Sequence, residues 1–229
     1  MKEQQSNDWE NNVLVFDFDR TLFDIKLLLA KFKEGFARHG VSSEVFDKAL
    51  AEVDKDKMYN PRKHALLVCK MCPGVKEENL VAEYEKVFSI ADTILFDGAK
   101  ELIEKLSGKY HIILMTFGNI EYQMDKVHGS GIASPFEEVI FTLDRTKVSP
   151  LRGILARFDK VCLIDDRIST LKSVKESLPQ VKTVWMRRPG DKYAEGNALD
   201  GADLTFSNFK ELEKAIPDIF GEGTKLCKQ

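Results

Sequence analysis

The 229-residue sequence has no window of about 18 uninterrupted apolar residues, which excludes a conventional membrane-spanning helix. Its first twelve residues, MKEQQSNDWENN, carry no apolar core segment, so a secretory leader is not expected and the cytoplasm is the expected compartment. A basic excess is missing as well: 34 Lys+Arg face 37 Asp+Glu, for a formal net charge of −3. A chain that neutralises a phosphate backbone carries a cationic surplus or stripe, so nucleic acid is not an expected partner. Proline (7) and glycine (14) are sparse while 43% of residues are hydrophobic, which excludes a collagen-like repeat or a disordered chain. Four cysteines are too few for a disulfide scaffold. Cys69 and Cys72 form a lone C-x-x-C, short of the ligands of a tetrahedral zinc site unless His64 and another residue join, so reduced thiols on a helix are expected. Cys162 lies in an apolar run, where a small buried thiol fits.

What is present suits one large domain, or one domain with an insert. Residues 13–16 (VLVF) read as a buried strand that runs into acidic residues. The chain is then helical for some distance. Ile25, Leu28, Leu29, Phe32 and Phe36 share one helix face, and Gly40 ends that helix. Phe46, Ala49, Leu50 and Val53 repeat the pattern after a Ser42/Ser43 cap. Asn60-Pro61 opens a third helix and Pro73-Gly74 closes it, and Leu80, Tyr84, Val87 and Phe88 mark a fourth. Beyond Phe96, helix and strand alternate: helix stripe Ala99, Leu102, Ile103 and Leu106, strand 111–115, helix 120–127, strand 138–142, helix 149–157, strand 161–164, helix 168–177, strand 182–186 and a last helix over 206–216. Strands joined by helices of this length need right-handed crossovers. The expected fold is therefore α/β: a doubly wound parallel-sheet, Rossmann-like core over residues 1–22 and 95–229, with an all-helical insert over 23–94.

Such a sheet binds ligands beyond the carboxyl ends of its strands, so the residues there carry the argument. The first strand ends in Asp17-Phe18-Asp19-Arg20-Thr21, two carboxylates at i and i+2 that a hard divalent cation would reconcile. The strand HIILM ends in Thr116-Phe117-Gly118, a hydroxyl and a glycine turn that offer donors to an anion. Lys147 comes after the strand EVIFT, just before a helix, with Lys126 and Lys160 as competing lysines. The strand VCLI ends in the pair Asp165-Asp166. Each feature alone also fits a helix cap or a solvated charge. In this order, at four strand ends of one sheet, they make a metal-assisted phosphoryl-transfer site.

The constellation resembles the haloacid dehalogenase superfamily over nearly the whole chain. The first motif, D-x-D-x-T, matches Asp17 to Thr21, with Arg20 where glycine is common. The second matches the apolar run ending in Thr116, the third Lys147, and the fourth Asp165-Asp166. The insert is similar to that family's C1-type cap. The resemblance implies a Mg²⁺-dependent phosphatase in which Asp17 is the nucleophile and Asp19 the general acid and base. It also implies that Thr116, the Phe117-Gly118 turn and Lys147 hold phosphate oxygens. The metal would be held by Asp17, the main-chain carbonyl of Asp19 and Asp166, with Asp165 as a further ligand or as the orienter of a metal-bound water. Dehalogenases lack an acid at the Asp19 position because a halide leaves without a proton, so phosphate esters are the expected substrates.

A small phosphorylated metabolite is the expected partner, and the chain is expected to be a monomer or a weak dimer. Candidate substrate contacts from the insert are Lys26, Tyr59, Arg62, Lys63 and His64, with Arg62 and His64 placed in the substrate-binding set. Arg187 and Arg188 read as a solvent-facing loop, and Trp185 as core. A phosphomutase with the same nucleophile and a non-catalytic binding module of the same fold are the alternatives. A response-regulator receiver is excluded, because its acidic pair comes first in the chain and it has no helical insert.

Overall fold

The computed structural model describes residues 11–55 and 58–221; Cys227 and the polar first ten residues lie outside them. Six parallel strands form one sheet in the order β3-β2-β1-β4-β5-β6. They are β1 (Asn12–Phe16), β2 (His111–Phe117), β3 (Glu138–Thr142), β4 (Lys160–Asp165), β5 (Lys182–Met186) and β6 (Leu204–Phe206). Alternate residues of each strand supply two separate apolar layers. Leu14, Phe16, Ile112, Leu114, Cys162 and Ile164 face one side, and Val13, Val15, Ile113, Met115, Val161 and Leu163 face the other. A sheet covered on both faces needs this two-sided hydrophobicity, which is why β1 is fully buried.

The first four of the helices that follow β1 are α1 (Ile25–Ala37), α2 (Ser43–Asp54), α3 (Pro61–Met71) and α4 (Glu77–Phe88). Local chemistry sets their starts. Asp24 accepts from the amides of Lys26 and Leu27, Ser42 from Val45, and Asn60 from Lys63 with Pro61 in the first turn. The two connections to the sheet lie side by side: Phe23 bridges to Leu95 and also to Asp19, Asp24 N donates to Ile94 O (2.9 Å), and Phe96 N donates to Leu22 O (2.9 Å). The remaining helices are α5 (Ala99–Ser107), α6 (Ile120–Ser130), α7 (Val148–Leu155), α8 (Ile168–Ser177) and α9 (Phe209–Ile219).

Three expectations need correction. Residues 204–206 form a sixth strand beside β5, so the last helix begins at Phe209 behind an Asn208 cap rather than at Phe206. A three-residue edge strand has too few positions to show alternation, and pairing with Val184–Met186 fixes it instead. α6 runs on to Ser130, and Gly131 closes it in the left-handed region. Arg188 is not solvent-facing. Its guanidinium lies 3.8 Å from the centre of the Phe96 ring and 4.5 Å from that of Phe209, and it donates to the carbonyls of Arg20 and Thr21, bracing the loop after β1. No helix among the described residues is long and apolar enough to cross a membrane.

Candidate active site

Seven of the sequence-predicted residues, Asp17, Asp19, Tyr59, Phe117, Lys147, Asp165 and Asp166, line one cavity of about 330 Å³ at the carboxyl ends of the strands. Asp17 comes directly after β1, and its amide donates to Ile164 O of β4 (2.8 Å), which brings the acids of the two central strands together. Lys147 comes from the far side. It is 2% exposed, and its ammonium lies 2.5 Å from Asp17 Oδ1 and 2.7 Å from Asp165 Oδ2. Lys147 has φ +60°, a left-handed conformation that a non-glycine residue adopts only when its surroundings hold it there. Here Asp144 does so, accepting from the amides of Thr146 and Ser149 with its carboxylate and from that of Lys147 with its carbonyl. Arg20 is the other left-handed non-glycine residue among the described residues (φ +64°), a conformation that glycine adopts without strain. Its side chain is tied to both carboxylate oxygens of Asp191 at 2.7 Å.

The electrostatics are dominated by burial. One carboxylate oxygen each from Asp17, Asp165 and Asp166 fall within 4.8 Å of one another, and all three residues are buried. Burial holds the Asp17 carboxyl up to about 7 against the pull of Lys147, with Asp165 and Asp19 adding repulsion. Asp166 is raised for the same reasons, burial first and then the charges of Asp17 and Asp165. For Lys147 the two carboxylates outweigh burial, and its proton is held more tightly than that of an ordinary lysine. Two buried oxygens, Asp17 Oδ2 and Asp166 Oδ2, have no hydrogen-bond partner. Asp165 differs, since Oδ2 accepts from Lys147 and Oδ1 from the amide of Arg167 (2.8 Å). Unpartnered carboxylate oxygens in an all-oxygen cluster fit a hard divalent cation such as Mg²⁺. Trp185, read as core, is fully buried, and its indole N–H holds the carbonyl of Asp166 (2.8 Å).

Thr116 lies at the end of β2 as expected, but its hydroxyl donates to Gln123 Oε1 at 3.0 Å. Gln123 Nε2 in turn donates to Asp19 Oδ2 and to Phe117 O, both at 3.0 Å. Phe117 lines the cavity, and Gly118 lines a neighbouring lobe of about 280 Å³. A Cβ on Gly118 would meet Gln123 Nε2 at 2.7 Å, and its φ of +148° is itself a glycine conformation. Lys126 proves to serve Asp19 rather than Asp17. It is fully buried, its ammonium pairs with Asp19 Oδ1, and it sits 4.4 Å from the centre of the Tyr122 ring. Burial lowers its proton affinity, and Asp19 opposes that effect. Lys160 lies at the opposite end of the strands, donating to Phe220 O.

The contacts expected from the insert divide. Tyr59 lines the cavity. His64 does not: it is buried inside the insert, with Nε2 3.1 Å from Phe46 O and Nδ1 2.7 Å from the Tyr59 hydroxyl, and burial lowers it to about 4. This makes it a satisfied core histidine, unavailable to substrate or to Cys69 and Cys72, which are half-buried free thiols. Arg62 is exposed and borders a separate 140 Å³ hollow beside α4 and α6. Lys26 is exposed and donates to Gly190 O, and Lys63 is exposed on the first turn of α3. Residues absent from the sequence reading are Gln123, Arg145, Arg167 and Tyr193. Of these only Gln123 carries a readable signal, because with Tyr122, Lys126 and Val127 it falls on the buried stripe of α6.

A family model described as haloacid dehalogenase-like hydrolase matches residues 14–176. No curated protein matches the sequence significantly. Among solved structures, a protein from Burkholderia xenovorans provisionally described as a haloacid dehalogenase-like hydrolase is similar, with a TM-score of 0.72 at 17% identity, covering 91% of this chain and 98% of its own. The magnesium-bound YfnB protein of Bacillus subtilis, provisionally described as a hydrolase of the same kind, gives 0.65 at 16% identity, covering 90% and 98%. The L-2-haloacid dehalogenase of Xanthobacter autotrophicus gives 0.59 at 12%, covering 90% and 98%. At these identities the structures speak for the fold.

Proposed function

The chain belongs to the haloacid dehalogenase-like hydrolases, and from that premise we propose that it is a Mg²⁺-dependent phosphatase that hydrolyses a small phosphomonoester through a phosphorylated Asp17. The observation that carries this reading is the pairing at the end of β1. Asp17 has one oxygen held by Lys147 and one without a partner, and a second acid, Asp19, lines the same cavity two residues later. A halide departs without a proton, so a dehalogenase has no use for Asp19; an alkoxide needs one.

In this mechanism an Asp17 oxygen bonds to phosphorus while the bond from phosphorus to the ester oxygen breaks. The leaving oxygen takes a proton from the Asp19 carboxyl. Asp19 then accepts a proton from the water that attacks the phosphorus, releasing phosphate and restoring the Asp17 carboxylate. Both Asp19 oxygens accept from α6, from Lys126 and Gln123, so the carboxyl must give up one of these partners to reach the ester. Lys147 holds Asp17 and stands ready to offset phosphate charge. Thr116 and the Phe117-Gly118 turn complete the phosphate cradle once the Thr116 hydroxyl turns from Gln123. Mg²⁺ would be held by Asp17, Asp166 and the main-chain carbonyl of Asp19, and when bound it supplies positive charge against the ester dianion. Asp165, with both oxygens engaged, orients Lys147 and is the poorer ligand of the acidic pair.

Residues 23–94 act as a cap over the core formed by 1–22 and 95–229, keeping bulk water from the reacting phosphate. A small phosphorylated metabolite in the cytoplasm is the partner this reading calls for. The test is phosphate release from a panel of phosphomonoesters with and without Mg²⁺, using wild type and Asp17→Asn. Metal-dependent release that the substitution abolishes at unchanged circular dichroism supports the proposal. Release that survives the substitution removes Asp17 as nucleophile. An isomeric phosphate in place of free phosphate identifies a phosphomutase.

A further inference from the structure

The strand ends and the helical insert line the cavity with different chemistry. The strand ends bring the acids and Lys147, whereas the insert brings Ile25 and Leu29 of α1, Leu50 and Asp54 of α2, and Tyr59 just before α3. Asp54, the one charge among these five, is paired with Lys192 at 3.4 Å. By spacing, Ile25, Leu29 and Leu50 belong to the same helix faces as Leu28, Phe32, Ala49 and Val53. The latter four are fully buried, but Ile25, Leu29 and Leu50 stay half-buried because their edge of each stripe lines the cavity. Tyr59 presents a ring rather than a hydroxyl. Its oxygen lies 2.7 Å from His64 Nδ1 and 2.9 Å from the Tyr84 hydroxyl, neither residue lining this cavity, and its ring centre is 5.0 Å from that of Tyr122.

The remaining charged side chains of the wall are engaged. Arg20 holds Asp191, and Arg145 lies over the Phe117 ring. Arg167 lies over Tyr193, donates to its hydroxyl and exerts its charge on buried Asp166. Beside the phosphate end, then, the insert offers aliphatic and aromatic surface that meets water until a ligand covers it. Covering such surface is favourable in proportion to its area.

We propose that the group esterified to the phosphate is uncharged and apolar, the alkyl or aryl part of a small alcohol, and that it lies against Ile25, Leu29, Leu50 and the Tyr59 ring. The proposal rests on the phosphatase reading for the position of the phosphate, and it narrows the substrate class to phosphomonoesters of apolar alcohols. A cavity of about 330 Å³ is at the small end of ligand sites, so the group is compact.

The test is calorimetric binding, with Mg²⁺ present, of methyl-, propyl- and pentylphosphonate and of 4-carboxybutylphosphonate. These compounds bear a phosphate-like head and cannot be hydrolysed, so turnover plays no part. Each methylene taken from water adds about fourfold in affinity, and pentylphosphonate is expected to bind wild type at least about tenfold tighter than methylphosphonate. It is also expected to bind tighter than 4-carboxybutylphosphonate, whose charged end has no place on this wall. A smaller pentyl-to-methyl ratio, or a carboxylate compound that binds as well, overturns the proposal and requires no variant. At least one of Leu29→Asn and Leu50→Asn is expected to cut the ratio by about threefold or more; a smaller fall in both also overturns it. The expected ratios in a protein that releases phosphate from no ester uphold the apolar wall and strike the phosphatase reading, whereas phosphate release without them strikes this proposal alone.

Discussion

Replacing Lys126 with methionine tests how Asp19, the general acid of the proposed mechanism, is held. Methionine keeps most of the volume among Phe18, Phe23 and Tyr122 and removes only the charge. Removing one partner of a fully buried pair costs about 3–5 kcal/mol, because the other charge is left uncompensated. Lys126 is fully buried, but the Asp19 side chain is 27% exposed and keeps Gln123 Nε2 at 3.0 Å, so water and the amide recover part of that loss. The expected destabilisation is about 2 kcal/mol, read from urea midpoints at constant m. Adding Asp19→Asn removes the stranded charge, and stability should return to within about 1 kcal/mol of wild type. In kinetics, Lys126→Met should lower kcat on alkyl phosphates by roughly 30-fold, a fraction of what a general acid contributes, and on aryl phosphates by only about 3-fold. Stability unchanged within about 0.5 kcal/mol, together with an unchanged kcat, would falsify the claim that this lysine fixes Asp19.

The same geometry predicts four other outcomes. Asp19→Asn should cost on the order of 10²–10⁴ in kcat with alkyl esters and much less with aryl esters, whose leaving groups need little protonation; equal losses would count against its acid role. Mg²⁺ should raise the thermal midpoint by several degrees, whereas Asp166→Asn should raise the metal-free midpoint, by relieving repulsion among buried acids, and abolish the Mg²⁺ increment. His64 is lowered to about 4 in the fold, so the unfolded chain binds its proton first as pH falls below the usual histidine range. Its contribution is therefore complete at neutral pH and is lost between about 6.5 and 4, roughly 2 kcal/mol by pH 5, and His64→Gln should flatten that part of the stability profile. Gly118→Ala should push the Gln123 amide off Asp19 and Phe117, lowering kcat without loss of the Mg²⁺-induced midpoint shift.

Much of this arrangement is legible in the sequence because strand ends on a parallel sheet are marked twice, by the apolar run and by the polar residues that end it. VLVF then Asp17, and VCLI then Asp165, locate the centre of the site without any contact information. The caps at Ser42 and Asn60 are equally readable, since a side-chain oxygen there acts on amides two or three residues away. The features that escape a sequence reading depend on partners distant in the chain. His64 reads as a first-turn polar residue beside Arg62 and Lys63, yet the packing of α3 onto Phe46 and Tyr84 turns it inward. Lys126 looks like any lysine until Asp19, 107 residues earlier, receives it. Arg188 becomes a brace only because Phe96, in the loop before α5, and Phe209, at the start of α9, converge on it.

The bridge between Phe23 and Leu95 has an evolutionary consequence. Because the helical segment departs and returns through neighbouring positions, a short turn joining them would re-close the polypeptide without cutting a ladder of the sheet. The segment is thus a cassette. A lineage can exchange it for another of different length and chemistry and inherit the acidic cluster at the strand ends intact, and a protein engineer can graft there for the same reason.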